Sequence, residues 1–113
     1  MSRIYYDSIE RINKVVEFIE KNYSKNHDIQ FYANMCNMER KYFITVFKRC
    51  TGFSPQRFRT NIRIEEAKKL LLNTDMNNES IANAVGYSDP LYFSRVFKKY
   101  TGISPKFFRE MGI

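Results

Sequence analysis

Residues Tyr42–Arg59 read YFITVFKRCTGFSPQRFR and residues Tyr92–Arg109 read YFSRVFKKYTGISPKFFR; the offset is 50, and 11 of the 18 positions are identical. A repeat this close marks one supersecondary unit used twice, and two copies are too few for a solenoid. In each copy the apolar positions, Phe43, Val46, Phe47 and Phe93, Val96, Phe97, follow the i, i+3, i+4 stripe of a helix. Lys48-Arg49 and Lys98-Lys99 fall in the last turn, where cations suit the helix dipole. Thr51-Gly52 and Thr101-Gly102 end each helix, glycine being free to take the left-handed C′ conformation. Ser54-Pro55 and Ser104-Pro105 then read as N-cap and first residue of a further helix.

Working outward, each aromatic helix is preceded by a shorter one. Asp28 caps Ile29–Cys36, which holds Phe31, Tyr32 and Ala33, and Asn78–Val85 holds Ile81, Ala82 and Val85. Each ends in a residue tolerant of positive φ, Asn37 or Gly86. An apolar residue follows, Met38 or Tyr87, and then an acidic cap position, Glu39 or Asp89. Short helix, tight turn, second helix is a helix-turn-helix, present twice. Ala33 and Ala82 fall where two crossing helices approach closest. Ala33 to Phe43 spans 10 positions and Ala82 to Phe93 spans 11, so the second turn is one residue longer.

The units are joined by a predicted helix, Pro55–Asn73, without Gly or Pro after its first residue. Phe58, Ile62, Ala67, Leu70 and Leu71 can face a core, with Arg57, Arg59, Arg63, Lys68 and Lys69 interspersed. About 18 helical residues span ~27 Å, close to the ~34 Å between major grooves on one face of B-DNA. Upstream, Ser8–Tyr23 reads as a capped amphipathic helix with Ile9, Ile12, Val16 and Ile19 on one face, packing on the first unit.

Composition narrows the function. The 113 residues suit one compact domain. No apolar run reaches the ~20 residues of a membrane span, and the polar start carries no signal-peptide stretch, so a cytoplasmic chain is expected. Cys36 and Cys50 match no zinc or redox spacing and read as ordinary reduced thiols in or near the core. His27, the single histidine, reads as an exposed loop residue. Nothing assembles a catalytic pair, a metal site or a cofactor site, so no enzyme is expected. The net charge is +7, and its placement is informative: Met1–Met38 carries five basic and five acidic residues, Glu39–Ile113 fourteen basic and seven acidic. The entire excess lies with the repeated units and the helix between them, a placement that suits a polyanion partner, an anionic membrane surface, or nothing beyond solubility.

Gly86–Lys99, GYSDPLYFSRVFKK, followed by Thr101-Gly102-Ile103-Ser104-Pro105, closely resembles the signature of the AraC/XylS family of bacterial transcription regulators. The first unit, the linker stretch Arg63–Leu71 and the longer second turn also fit, and the resemblance covers roughly Asp7–Glu110. It implies an all-α fold of about seven helices in two helix-turn-helix subdomains joined by a central linker helix. The expected divisions of a single domain, 1–113, are 8–53, 54–73 and 74–113. It further implies sequence-specific double-stranded DNA binding, with two recognition helices in successive major grooves of an asymmetric promoter site. Contact with RNA polymerase, an upstream sensor or receiver domain, and a nucleoid location are also implied.

Carried over by position, the family's base-reading places fall on Lys41, Ile44 and Thr45 and on Pro90, Leu91 and Arg95. Arg95 is the foremost, since arginine bonds O6 and N7 of guanine bidentately. Ile44, Pro90 and Leu91 depart from the polar residues common at such places; they can meet thymine methyls but donate nothing. Backbone contacts are expected from Arg40, Lys48, Arg57, Ser94, Lys98 and Lys106, and from the helix starts after Ser54 and Ser104. Phe43, Phe47, Phe53, Phe58, Phe93 and Phe97 read as core, and Tyr42 and Tyr92 as structural residues at the edge of the stripe. Two alternatives stand beside this reading: a sequence-tolerant architectural DNA binder, allowed by the charge, and a protein-interaction domain that kept the fold, motivated by the three apolar positions.

Overall fold

A computed structural model describes residues 3–112, with side chains described from Tyr6 onward. Met1, Ser2 and Ile113, the ends of the expected domain, lie outside the described residues. The fold is all-α: α1 (Arg3–Lys21), α2 (Ile29–Met35), α3 (Arg40–Thr51), α4 (Pro55–Asn73), α5 (Asn78–Val85), α6 (Pro90–Thr101) and α7 (Pro105–Met111). The chain forms two compact units, one ending at Thr60 and the next beginning at Asn61. The division falls within α4, so the linker helix belongs in part to each unit.

In the first unit, Asp28 caps α2 by accepting from the Phe31 N–H at 2.9 Å. Asn37 takes a positive φ of 53° after α2, and the Met38 N–H turns back to the Ala33 carbonyl at 3.0 Å. This is the left-handed C-terminal turn that orphan helix carbonyls favour. Glu39 then caps α3 through the Lys41 and Tyr42 N–H groups. Phe43 and Phe47 are fully buried, their rings 5.6 Å apart, and Phe47 meets Phe58 of α4 edge-on at 5.5 Å. Burying one such ring stabilises by about 1.5–3 kcal/mol.

The second unit repeats this ladder. Asn77 caps α5 through the Ser80 N–H, and Gly86 takes φ 114° while Tyr87 N–H returns to the Ala82 carbonyl at 2.8 Å. Asp89 caps α6 through Leu91 N–H. Phe93 meets Phe97 with tilted rings at 5.9 Å, and Phe97 meets Phe108 edge-on at 5.6 Å. Ala33 and Ala82 are fully buried, consistent with helices meeting closely there.

Several expectations require correction. α1 begins at Arg3, and Ser8 is no cap: it is buried within the helix, its hydroxyl 3.4 Å from the Tyr42 hydroxyl. The buried stripe of α1 is Ser8, Ile12, Val15 and Ile19; Ile9 and Val16 are half-buried. In α4 Ile64 is buried, whereas Phe58, Ile62 and Leu70 are half-buried. Phe53 is exposed rather than core, and Cys50 is exposed as well. His27 is half-buried, with its ring stacked on Phe31 at 3.8 Å and 7°.

Two arginines read as part of the charge excess are structural latches. The Arg59 guanidinium donates to the His27 carbonyl at 2.8 Å, the Lys25 carbonyl at 3.3 Å and the Tyr32 hydroxyl at 3.0 Å. Its repeat counterpart Arg109 donates to the Leu71 carbonyl at 3.0 Å and the Thr74 carbonyl at 3.1 Å. Each ties its helix back to the segment that leads into the helix-turn-helix of its own unit. Arg63 is likewise buried, with its guanidinium 5.0 Å from the centre of the Tyr87 ring.

Replacing Arg59 by Ala leaves the Lys25 and His27 carbonyls without their cationic donor. It should lower unfolding free energy by about 2–3 kcal/mol, the value of charge-assisted bonds, with Lys48→Ala within about 0.5 kcal/mol of wild type. Chemical denaturation of both variants checks this. The two thiols should also separate. Burial pushes the Cys36 thiol up to about 11, with nearby Arg11 opposing the rise, and its Sγ donates to the Arg11 carbonyl at 3.4 Å. Below pH 9 it is therefore protonated and covered, and a thiol reagent at pH 8 should titrate one cysteine in the folded chain and two in denaturant.

Candidate nucleic-acid interface

α3 and α6 are built on one plan. Both have 12 residues, both start after an acidic N-cap, and both end on a glycine whose N–H donates at 2.8 Å to the carbonyl of Lys48 or Lys98. Thr51 Oγ1 lies 2.9 Å from the Phe47 and Phe53 carbonyl oxygens, and Thr101 repeats this at 2.8 and 2.9 Å with Phe97 and Ile103. Ser54 and Ser104 close the plan by capping the helices that follow, accepting from the Arg57 and Phe107 N–H groups.

With the phenylalanines turned inward, the same positions face outward in each helix, offset by 50: Arg40 and Pro90, Lys41 and Leu91, Ile44 and Ser94, Thr45 and Arg95, Lys48 and Lys98. Arg40, Lys41, Thr45 and Lys48 are exposed on α3, and Leu91, Arg95 and Lys98 on α6. Ile44, Pro90 and Ser94 are half-buried. Thr45 Oγ1 donates to the Lys41 carbonyl at 3.1 Å, which fixes its hydroxyl and leaves an acceptor face outward. Among the described residues, no ion pair engages Lys41, Lys48, Arg95 or Lys98, whereas Lys68 and Lys69 of α4 are paired with Glu65 and Glu66.

The base-reading sets expected from sequence are thus not in register with each other. Ile44 is the counterpart of Ser94, and Pro90 of Arg40. Ser94 is held within its unit: Asn78 Nδ2 donates to its hydroxyl at 3.2 Å, while Asn78 Oδ1 is buried without a partner among the described residues. At the equivalent places the first unit carries Ile29 and Ile44, both half-buried. The backbone set is dispersed: Lys106 is exposed at the start of α7, and Arg57 is exposed on α4. Tyr42 and Tyr92, read as structural, are exposed edges of the two helices, with Tyr92 5.8 Å from the Tyr87 ring.

Two further observations bound the chemistry. Among the described residues, no group of three His, Cys, Asp or Glu stands together to hold a metal ion. No helix of those residues is long and apolar enough to cross a membrane.

A family model described as a helix-turn-helix domain matches residues 32–111. The raffinose operon transcriptional regulatory protein RafR of Pediococcus pentosaceus is 38% identical over 78% of this chain and 32% of its own length. The C-terminal domain of AraT, a response regulator from Geobacillus stearothermophilus, is 33% identical with a TM-score of 0.84, covering 88% of this chain and 84% of that one. The DNA-binding domain of AdpA, solved in complex with a target DNA, is 24% identical and shares the fold at a TM-score of 0.85, over 89% of this chain and 91% of that one. The chain spans about a third of the length of the curated relatives it matches. The relatives named above are described as transcription regulators; another, AdaA of Bacillus subtilis, 30% identical over 71% of this chain and 38% of its own length, is described as a bifunctional transcriptional activator and DNA repair enzyme. The twin capped helices α3 and α6, the matched family and the regulators that share its sequence agree, and the chain belongs to the AraC/XylS-type helix-turn-helix family of DNA-binding transcription regulators.

Proposed function

We propose that the chain binds double-stranded DNA at a specific asymmetric promoter site, with α3 and α6 each in a major groove and the two grooves successive. The observation that carries this reading is the pair of matched frames whose outward Lys41, Lys48, Arg95 and Lys98 form no ion pair among the described residues. A cation held away from protein carboxylates is available to a phosphate or a base edge. Lys41, Thr45 and Arg95 read base edges by hydrogen bonding, and Leu91 by apolar contact. Ile44 and Pro90 border the reading face, where half-burial limits them to packing at its edge. Arg40, Lys48, Arg57, Lys98 and Lys106 serve the phosphates. Ser94, engaged by Asn78, orients α6 and meets the backbone through its remaining hydrogen-bonding capacity.

The proposed architecture is one DNA-binding domain of two helix-turn-helix units, with α4 running between them. Its partners beyond DNA are RNA polymerase and an upstream sensor or receiver domain, as AraT's description as a response regulator suggests. Its site of action is the bacterial nucleoid.

Selection of bound duplexes from a random pool tests this. A preferred site should emerge with a footprint of about two helical turns and a clear excess of affinity over random duplex at matched salt. Arg95→Ala should cost about 1–3 kcal/mol and relax preference at one guanine, whereas Lys48→Ala and Lys98→Ala should weaken all duplexes and each lower the salt slope by about 1. Equal affinity for selected and random duplex returns the architectural-binder reading. Absence of duplex binding returns the protein-interaction reading.

A further inference from the structure

Leu91 is the most exposed large apolar side chain among the described residues, at 70%. A single exposed leucine on a surface is ordinary; the position of this one is not. It stands in the first turn of α6, where Asp89 accepts from its N–H at 2.9 Å and so fixes the backbone that carries it. Four residues on, Arg95 lies on the same face, exposed and outside any ion pair among the described residues. The counterpart of Leu91 in α3 is Lys41. Where the first unit presents a cation, the second presents an isobutyl group that can neither bond a base edge nor attract a phosphate.

The floor of the major groove offers one apolar feature, the methyl group at C5 of thymine. Cytosine carries hydrogen at that carbon, and 5-methylcytosine carries the same methyl. Side chains at i and i+4 of a helix have Cβ atoms ~5–6 Å apart, while successive bases along a strand rise ~3.4 Å. A group met by Leu91 and a base bonded by Arg95 therefore lie on adjacent or next-but-one base pairs. The other apolar candidates do not compete for this role. Pro90 is half-buried at the first helical position, and Ile44 is half-buried at the place Ser94 occupies in α6.

We propose that the second helix-turn-helix unit recognises a 5-methylated pyrimidine within two base pairs of a guanine, Leu91 covering the methyl group while Arg95 bonds O6 and N7 of the guanine. The unit thereby senses the methyl group itself, and a 5-methylcytosine takes the place of thymine in that contact. This rests on the duplex-reading proposal above and adds to it a ligand chemistry that hydrogen bonding alone does not supply.

The test uses the full chain and its selected duplex. Replacing single guanines by 7-deazaguanine locates the one bound by Arg95, since Arg95→Ala should be blind to that replacement. At each thymine within two base pairs of it, the T·A pair is exchanged for 2′-deoxyuridine opposite adenine, or for cytosine or 5-methylcytosine opposite guanine. At one position deoxyuridine should weaken wild-type binding about fourfold, the worth of one buried methyl-sized group at ~0.8 kcal/mol. At that position 5-methylcytosine should bind more tightly than cytosine by a similar factor. Leu91→Ala should bind the thymine and deoxyuridine duplexes alike, with an unchanged unfolding midpoint. The proposal is overturned if every deoxyuridine duplex binds as tightly as its parent, if 5-methylcytosine is no better than cytosine, or if Leu91→Ala keeps the methyl preference. A chain that selects no duplex overturns the duplex-reading proposal as well; one that selects a site yet ignores the methyl overturns this inference alone.

Discussion

The phenylalanine ladder is the constraint from which the rest of each unit follows. Phe43, Phe47 and Phe58 in the first unit, and Phe93, Phe97 and Phe108 in the second, lock a 12-residue helix against the start of the next one. Locking the inward face fixes the outward face, because helical positions are related by a set angle per residue. The outward surface is thereby decided by the buried residues beneath it. The caps define the ends of that surface: Glu39 and Asp89 at the start, Gly52 and Gly102 at φ 85° and 89° at the finish. The glycine N–H returns to the Lys48 or Lys98 carbonyl, so the cation in the last turn is placed by the same device that stops the helix.

The charge excess divides into two populations with different physical roles. Arg59 and Arg109 are bound to backbone carbonyls, Arg63 is buried over Tyr87, and Lys68 and Lys69 face glutamates one turn back. These cations hold the fold or are locally neutralised. The cations of α3 and α6 are exposed instead, and their field is available to a polyanion. Net charge alone cannot separate the two populations, since a guanidinium that satisfies carbonyls counts the same as one that waits for a phosphate. Arginine suits the latch because its planar fork presents several donors in fixed directions: Arg109 meets two carbonyls through Nε and Nη2, while the three acceptors around Arg59 share the protons of its Nη1.

Much of the fold was legible because its signals are local or repeated. Caps, positive-φ turn residues and i, i+3, i+4 stripes lie within a few positions of each other, and the 50-residue offset tested each reading against a second copy. The linker Pro55–Asn73 and the short helix Asn78–Val85 have the expected bounds for that reason. What was not legible depends on partners distant in sequence. Ser8 resembles a helix cap until Tyr42, 34 positions away, stands near its hydroxyl. The latching role of Arg59 depends on carbonyl oxygens of the loop before α2, and every residue has a carbonyl, so no side-chain pattern announces it. The α1 stripe was displaced by one position because Val15 and Val16 are both apolar, and only packing chooses between them. For the interface, outward positions were readable from the helical period, but half-burial of Ile44 and Pro90 and the engagement of Ser94 by Asn78 were not.

The two units share a frame and differ on it, and the difference is concentrated where a frame permits it. Buried positions of the ladder are identical between copies, whereas the outward pairs Lys41 and Leu91, Ile44 and Ser94, and Thr45 and Arg95 differ in charge, polarity or size. Beneath them Ile29 is replaced by Asn78, and the change at that position accompanies the change from Ile44 to Ser94. The half-buried Asn78 amide donates to the Ser94 hydroxyl, a polar contact on α6 where the first unit places two isoleucines. Close packing makes the ladder intolerant of change, while exposed positions tolerate it at little cost in stability. Two copies of one scaffold can therefore carry two unlike chemistries, a cationic and hydroxyl-bearing face on α3 and an aliphatic and guanidinium face on α6. Unlike faces on like frames suit an asymmetric ligand, because no exchange of the two units would present the same groups to the same place.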